Sequence, residues 1–290
     1  MSVNLDAQCF VCHLRRNVET ARSLGDEATA TAFARELLQL YLTAPENVSS
    51  IWLGPATAKL FETYYGLEKD RFRQEKKDSN AFAMARLEQV RQRIAQAQDP
   101  VYGALQFAIL GNYIDFSALQ GELSFDALDA MLADAGKIEV EKAVYDALCR
   151  DLAQAKHLLY ITDNAGEIVF DRLLAEQIVK TYPNVAVTFL VRGAPAMNDA
   201  TREDAAEVGI PFPVIDNGTD YAGTDLTCIG PEARQALENA DVIVSKGQGN
   251  VETMLGCGYN IYYAFLVKCP RFVERFGKPK LTPMLVRERQ

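Results

Sequence analysis

The stretch YITDNAGEIVFD, residues 160–171, decides how this chain is read. An apolar run over residues 157–161 stops at Asp163 and Asn164, and a helix-like pattern begins through Gly166 and Glu167. A strand that ends on a carboxylate and an amide and passes at once into a helix is the first step of a βαβ unit. The step recurs toward the C-terminus. Further β-rich runs lie at 185–192, 212–215, 241–245 and 260–267, and amphipathic helical stretches at 166–182, 200–208, 231–239 and 251–256. Parallel strands need a crossover and usually obtain it from a helix. The order therefore predicts an α/β fold, a three-layer α/β/α sandwich with a mostly parallel sheet, over residues 156–290.

Toward the N-terminus the periodicity changes. Apolar residues recur at helical spacing in VETARSLGDEATATAFARELLQLYL (18–42), NAFAMARLEQVRQRIAQA (80–97) and EVEKAVYDALCRDLAQA (139–155). Breaks are expected at Pro45, Gly54 with Pro55, Gly66, Pro100, Gly121 and Gly136. Residues 1–155 read as an all-helical region packed on the core, with no internal repeat and no low-complexity linker.

The chain has 290 residues, 49% of them hydrophobic and 24% charged, which is the balance of a globular protein with a full core. No run of 18 apolar residues occurs, and the charges near the N-terminus follow its few apolar residues, unlike a secretory signal. A cytoplasmic protein with no membrane partner is expected. A net charge of −9, with no clustered Lys and Arg, argues against nucleic acid. Nothing in the sequence fixes the oligomeric state.

In open parallel sheets, ligands bind beyond the carboxyl ends of the strands. The first strand ends in TDNAGE, offering Asp163, Asn164 and Glu167. The second ends in RGAPAMNDAT, offering Arg192, Asn198 and Asp199, and the fourth in SKGQGNVE, offering Ser245, Lys246, Gln248, Asn250 and Glu252. Asp163, Asn164 and Asp199 on one rim are hard oxygen donors of the kind that hold Mg²⁺ or Mn²⁺. A metal also answers an electrostatic problem: each of two carboxylates about 4 Å from a phosphate repels one of its charges by about 4 kcal/mol at an effective dielectric near 20. Each Asp alone serves equally well as a helix N-cap. Gly247 and Gly249 allow close backbone approach, but neither GxxxxGK[ST] nor GxGxxG is present. A dinucleotide or S-adenosylmethionine site is further disfavoured by a first turn with one glycine and a second strand that closes on Arg192.

In the helical region, Asn112 and Asp115 stand three apart within AILGNYIDF, on one helix face, either as an internal pair or as part of the site. KKDSN (76–80) reads as a solvated helix start. Cys9 and Cys12 in CFVC form half of a zinc-like set that Cys269 or His13 would complete; the alternative is two small buried residues. Two histidines and no GxSxG elbow argue against His-dependent or serine-nucleophile catalysis.

Taken together, YITDNAGEIVFD, VRGAPAMNDAT, VSKGQGNVE, GNYIDF, CFVC and VKCP resemble the metal-dependent damage-control phosphatases, the domain-of-unknown-function-89 or acidic-residue-methyltransferase-like family, in its CxxC-bearing prokaryotic branch. The match runs from Cys9 to Cys269, with Met197 where Leu, and Val251 where Phe, is usual. The resemblance implies a helical N-terminal region on an α/β/α domain. It implies a divalent metal (Mn²⁺, Co²⁺, Ni²⁺ or Mg²⁺) on Asp163, Asn164 and Asp199, with Asp163 in a catalytic role. Lys246 would bind the substrate phosphate, supported by Gly247, Gly249, Asn250, Arg192 and Glu167, with Asn112 and Asp115 lining the pocket. The implied substrate is a small phosphorylated metabolite, a sugar phosphate or a damaged cofactor intermediate. Two alternatives are an S-adenosylmethionine-dependent carboxyl methyltransferase and a non-enzymatic metal-binding module built on Cys9, Cys12 and Cys269.

Overall fold

The computed structural model describes residues 4–114 and 125–288. The helical part runs α1 (Ala7–Leu24), α2 (Glu27–Thr43), α3 (Leu53–Tyr65), α4 (Arg73–Met84), α5 (Leu87–Gln96), α6 (Pro100–Gly111), α7 (Phe125–Ala133) and α8 (Lys142–Leu152). The alternating part follows as β1 (His157–Ile161), α9 (Glu167–Thr181), β2 (Ala186–Val191), α10 (Arg202–Glu207), β3 (Val214–Asp216), α11 (Pro231–Asn239), β4 (Val242–Lys246), α12 (Gln248–Met254), β5 (Ile261–Leu266), α13 (Pro270–Phe276) and β6 (Pro283–Arg287).

The strands form one sheet in the order β3-β2-β1-β4-β5-β6, parallel except for β6, which pairs antiparallel with β5. β6 is the strand the sequence pattern does not predict. It is short and begins with Pro283, as an edge strand tolerates. Alternation along the strands divides the core into two layers. Leu158, Tyr160, Val187, Phe189, Val242, Val244 and Tyr262 face α6 and α9, while Leu159, Ile161, Leu190, Ile243, Ile261 and Tyr263 face α11, α12 and α13. The strand order reverses between β1 and β4, which opens a crevice at their carboxyl ends.

Several local readings are corrected. The stretch 18–42 is two helices, because Asp26 accepts a bond from the Thr29 N–H and restarts the helix just after Gly25. The stretch 80–97 likewise divides between α4 and α5. Gly54 and Pro55 do not break the chain but lie in the first turn of α3, where Pro removes no helical bond. Gly66 does end α3, in the left-handed conformation. Gly121 and Asp115 lie outside the described residues.

Element type changes between Leu152 and His157, but the packing does not. Residues of α4 to α8 share one cluster with the sheet and α9, whereas α1 to α3 keep their own small core of Ala21, Ala30, Phe33, Leu37 and Phe61. Among the described residues, no helix is long and apolar enough to cross a membrane.

Candidate active site

The turns that follow β1 and β2 are zipped together. The Ala200 N–H donates to the Asp163 carbonyl (2.7 Å), the Ala165 N–H donates to the Asn198 carbonyl (2.9 Å), and Asn164 and Asp199 form an isolated antiparallel bridge. This brings Asp163 and Asp199 to one place at the crevice. Neither caps a helix: α9 is capped by Gly166, and α10 by Thr201 in a capping box with Asp204. The local explanation for two buried acids is thereby removed. Asp163 is 7% and Asp199 4% exposed.

Arg192, at the end of β2, sits between them. Its Nε donates to Asp199 Oδ2 (2.6 Å) and its Nη1 to Thr224 Oγ1 (3.2 Å) and Asn250 Oδ1 (3.1 Å). Its Nη2 lies 3.8 Å from Asp163 Oδ1, buried and without a hydrogen-bond partner. Asp163 Oδ2 is filled instead by two amides, from Asn112 Nδ2 and Asn164 Nδ2, both at 2.9 Å. The same two amides donate to Glu167 Oε2, at 2.8 and 2.9 Å.

Beneath this cluster Lys246 is fully buried, and its ammonium donates to Glu167 Oε1 (2.5 Å), Asp171 Oδ1 (2.8 Å) and the Ala108 carbonyl (2.7 Å). An ammonium has three donors. All three are engaged, by Ala108, Glu167 and Asp171, which leaves no donor for the phosphate contact expected of Lys246. Burial pulls the Lys246 pKa down, but Asp171 and Glu167 more than offset it and the pKa is raised. Asp171, which also accepts from Tyr160, is pushed up to about 7, by burial first and by Glu167 against the opposing charge of Lys246.

The remaining expected residues act mostly as scaffold. Asn250 is buried and donates to the Thr162 and Lys246 carbonyls, tying the β4 end to the β1 end. A Cβ on Gly249 would lie 2.2 Å from the Ala222 carbonyl, so glycine there admits the 217–224 loop. A Cβ on Gly247, which has φ +79°, would lie 2.0 Å from the Asp163 carboxyl carbon. KKDSN is solvated only at Lys77 and Asp78: Lys76 pairs with Asp204 (2.6 Å), and Asn80 accepts the Gly166 N–H (2.7 Å) while donating to Asp204 and Glu207. It clamps the β1–α9 turn to α10. Residues the sequence reading left aside are Asp171, Thr224 and Lys268. The first was within the opening motif, and Lys268 stands just beyond the carboxyl end of β5, where position alone could have flagged it.

The Asp163 pKa is raised well above the usual carboxylate range, by burial first, then by Asp199 and Glu167, with Lys268 and Arg192 acting against them. The local count is four carboxylates (Asp163, Glu167, Asp171, Asp199) against three cations (Arg192, Lys246, Lys268). Carboxyl groups outnumber cations in this buried place, and glycine at 247 makes room for the Asp163 carboxyl group itself. Two carboxylates and the Asn164 amide form a hard-oxygen donor set that fits a divalent cation. Thiols do not offer a rival set. Among the described residues, no group of three or more His, Cys, Asp and Glu side chains is placed to hold a metal, so the acid pair depends on the Asn164 amide for a third ligand and the cysteines form no such group. Cys12 is exposed, Cys9 receives a contact from Arg271 (3.5 Å), Cys269 one from Gln248 (3.4 Å), and His13 turns to Tyr41 (2.7 Å).

Comparison with known proteins agrees with this architecture. The solved structure of a DUF89 family protein (PH1575) from Pyrococcus horikoshii superposes with a TM-score of 0.84 at 25% identity, covering 99% of each chain. In sequence, the chain is 34% identical over 218 residues to a damage-control phosphatase of Archaeoglobus fulgidus, covering 72% of this chain and 73% of that one. It is 35% identical over 181 residues to the damage-control phosphatase PH1575, 61% of each. It is 29% identical over 295 residues to the uncharacterized protein MJ0202 of Methanocaldococcus jannaschii, covering 95% and 93%. The model of the damage-control phosphatase ARMT1-like domain matches residues 5–282, and the chain belongs to that family.

Proposed function

We propose that the chain is a divalent-metal-dependent phosphatase acting on small phosphorylated metabolites, sugar phosphates or damaged cofactor intermediates. The observation that carries this reading is the pair of buried acids, Asp163 and Asp199. They cap no helix and converge with Asn164 at the strand-order reversal, where carboxyl groups outnumber cations. Family membership supports the phosphatase class.

Asp163, Asn164 and Asp199 would hold the ion. When bound, a divalent cation polarises a phosphoryl oxygen and makes water a better nucleophile near neutral pH. The rest of the chemistry falls to side chains. Asn112 and Asn164 saturate Asp163 Oδ2, which fixes the carboxylate and reserves Oδ1 for the reacting centre. Glu167 orients both amides, and Lys246, which also donates to Asp171, holds Glu167 from below. Lys268, which already offsets the Asp163 charge, takes the phosphate-binding role first expected of Lys246. Arg192 Nη2 supplies a second donor at the same rim. No comparable support exists for the methyltransferase, because Arg192, which closes β2, is engaged by Asp199, nor for the thiol metal module, whose three cysteines are not gathered.

The test is hydrolysis of p-nitrophenyl phosphate by chelator-stripped protein, before and after Mn²⁺, Co²⁺, Ni²⁺ or Mg²⁺ is added, followed by a panel of phosphorylated metabolites. Turnover should need the metal and vanish in Asp163→Ala with Asp199→Ala. Unchanged turnover in that double variant overturns the assignment.

A further inference from the structure

A chain of hydrogen bonds crosses from the helical half to the segment that carries Lys268. Ser50 Oγ donates to Glu252 Oε2 (2.6 Å), Gln248 Nε2 donates to Glu252 Oε1 (2.9 Å), and Gln248 Oε1 accepts the Lys268 backbone N–H (2.9 Å). Gln248 and Glu252 are four apart on α12 and so share a face. Ser50 belongs to a 3₁₀ turn, Ser50–Trp52, that packs against α12, and Ile51 Cδ1 would lie 3.5 Å from a Cβ on Gly249. The approach is braced by an Asp6–Arg271 ion pair (3.0 Å) and by the Leu5 N–H on the Val48 carbonyl (2.7 Å). On its other side the 267–268 backbone is held by Val267, which donates to Thr282 and accepts from Leu281. Lys268 thus leaves a backbone position pinned from both flanks, and one of the two pins is a side-chain relay that originates in the helical half.

We propose that Gln248 and Glu252, with Ser50 reaching in from the helical region, are positioning residues that set the place of the Lys268 ammonium at the mouth of the site. The proposal rests on the phosphatase reading, in which Lys268 meets the phosphate. A lysine that contacts the phosphate equally in ground and transition states acts on KM. Displacing it should therefore weaken substrate binding and leave turnover nearly intact, an effect general destabilisation does not produce.

The experiment is steady-state hydrolysis of p-nitrophenyl phosphate by the Mn²⁺-loaded full chain, with the melting temperature of every variant. Gln248→Leu should raise KM about tenfold, with kcat within about twofold. The exchange Gln248→Glu with Glu252→Gln reverses donor and acceptor but keeps both bonds, and it should return KM to within about threefold of the parent. Because the effect runs through Lys268, Gln248→Leu should add nothing in a Lys268→Ala background. A parental KM in Gln248→Leu, failure of the exchange to restore KM, or the same increment with Lys268 removed overturns the relay while the phosphatase reading stands. A parent chain that hydrolyses no phosphate ester under any of the metals overturns that reading, and the relay with it.

Discussion

A buried ammonium with three hydrogen bonds has no donor left for a ligand, and its removal strands two carboxylates. Lys246→Met should therefore lower unfolding free energy by about 3–5 kcal/mol, measured by urea titration, because Glu167 and Asp171 lose their shared counter-ion. Lys268→Ala should cost less stability than Lys246→Met and raise KM. Equal melting losses in the two variants would mean that the roles are not divided in this way. Gly247→Ala should abolish turnover, since its Cβ would stand 2.0 Å from the Asp163 carboxyl and its φ of +79° disfavours any side chain; a fully active alanine variant would contradict the close approach. That Asp163, Asn164 and Asp199 meet at one rim was legible because all three follow the carboxyl ends of parallel strands. The burial of Lys246 was not anticipated, although the signal was present. Along β4, Val242, Val244 and Lys246 share one face, so a lysine that follows two core valines at period two points into the α9 layer and not out to the crevice. Asn80 and Thr224 were illegible, since their partners are more than 20 residues away and no local pattern names them.

At the scale of elements, the three N-terminal helices form a unit whose polar interior is His13. Its Nδ1 takes the Tyr41 hydroxyl at 2.7 Å, Asn17 approaches the same nitrogen at 3.2 Å, and burial first, then Arg16, lowers its pKa from the ordinary 6.5 to about 4. The unfolded chain therefore binds the proton more tightly than the folded one. The stabilisation from neutral His13 is complete above pH 6.5 and is lost as the pH falls to about 4. Between pH 7 and 4.5 this group alone should account for about 2–3 kcal/mol of lost stability, and His13→Gln should flatten that part of the curve. An unaltered acid limb in the variant would show that His13 is not the buried base. The α1–α2 boundary was missed because apolar spacing continues across Gly25, whereas the Asp26 cap that restarts the helix is a single polar residue. Lys76 and Asn80 show the converse. One face of this polar-looking stretch is buried because α10 brings Asp204 and Glu207 to meet it.

Across the whole molecule, the α/β order was readable because each parallel strand carries its own crossover helix in sequence. β6 was not, since an antiparallel edge strand needs no such partner. The shift in composition near residue 155 marks where element type changes but not where the core ends, because α4 to α8 cover one face of the sheet. Residues from both sides of that boundary consequently make the site: Asn112 from the helical part orients Asp163, and Ser50 reaches Glu252. The proposed role of the two acids at the reversal of strand order is to hold a divalent cation. Calorimetric titration of Mn²⁺ into chelator-stripped protein tests it most directly. One site is expected in the parent and in Cys9→Ser with Cys12→Ser, with affinity weakened at least about a hundredfold in Asp199→Asn. Parental affinity in Asp199→Asn, or loss of the site when the two cysteines are replaced, would contradict the account.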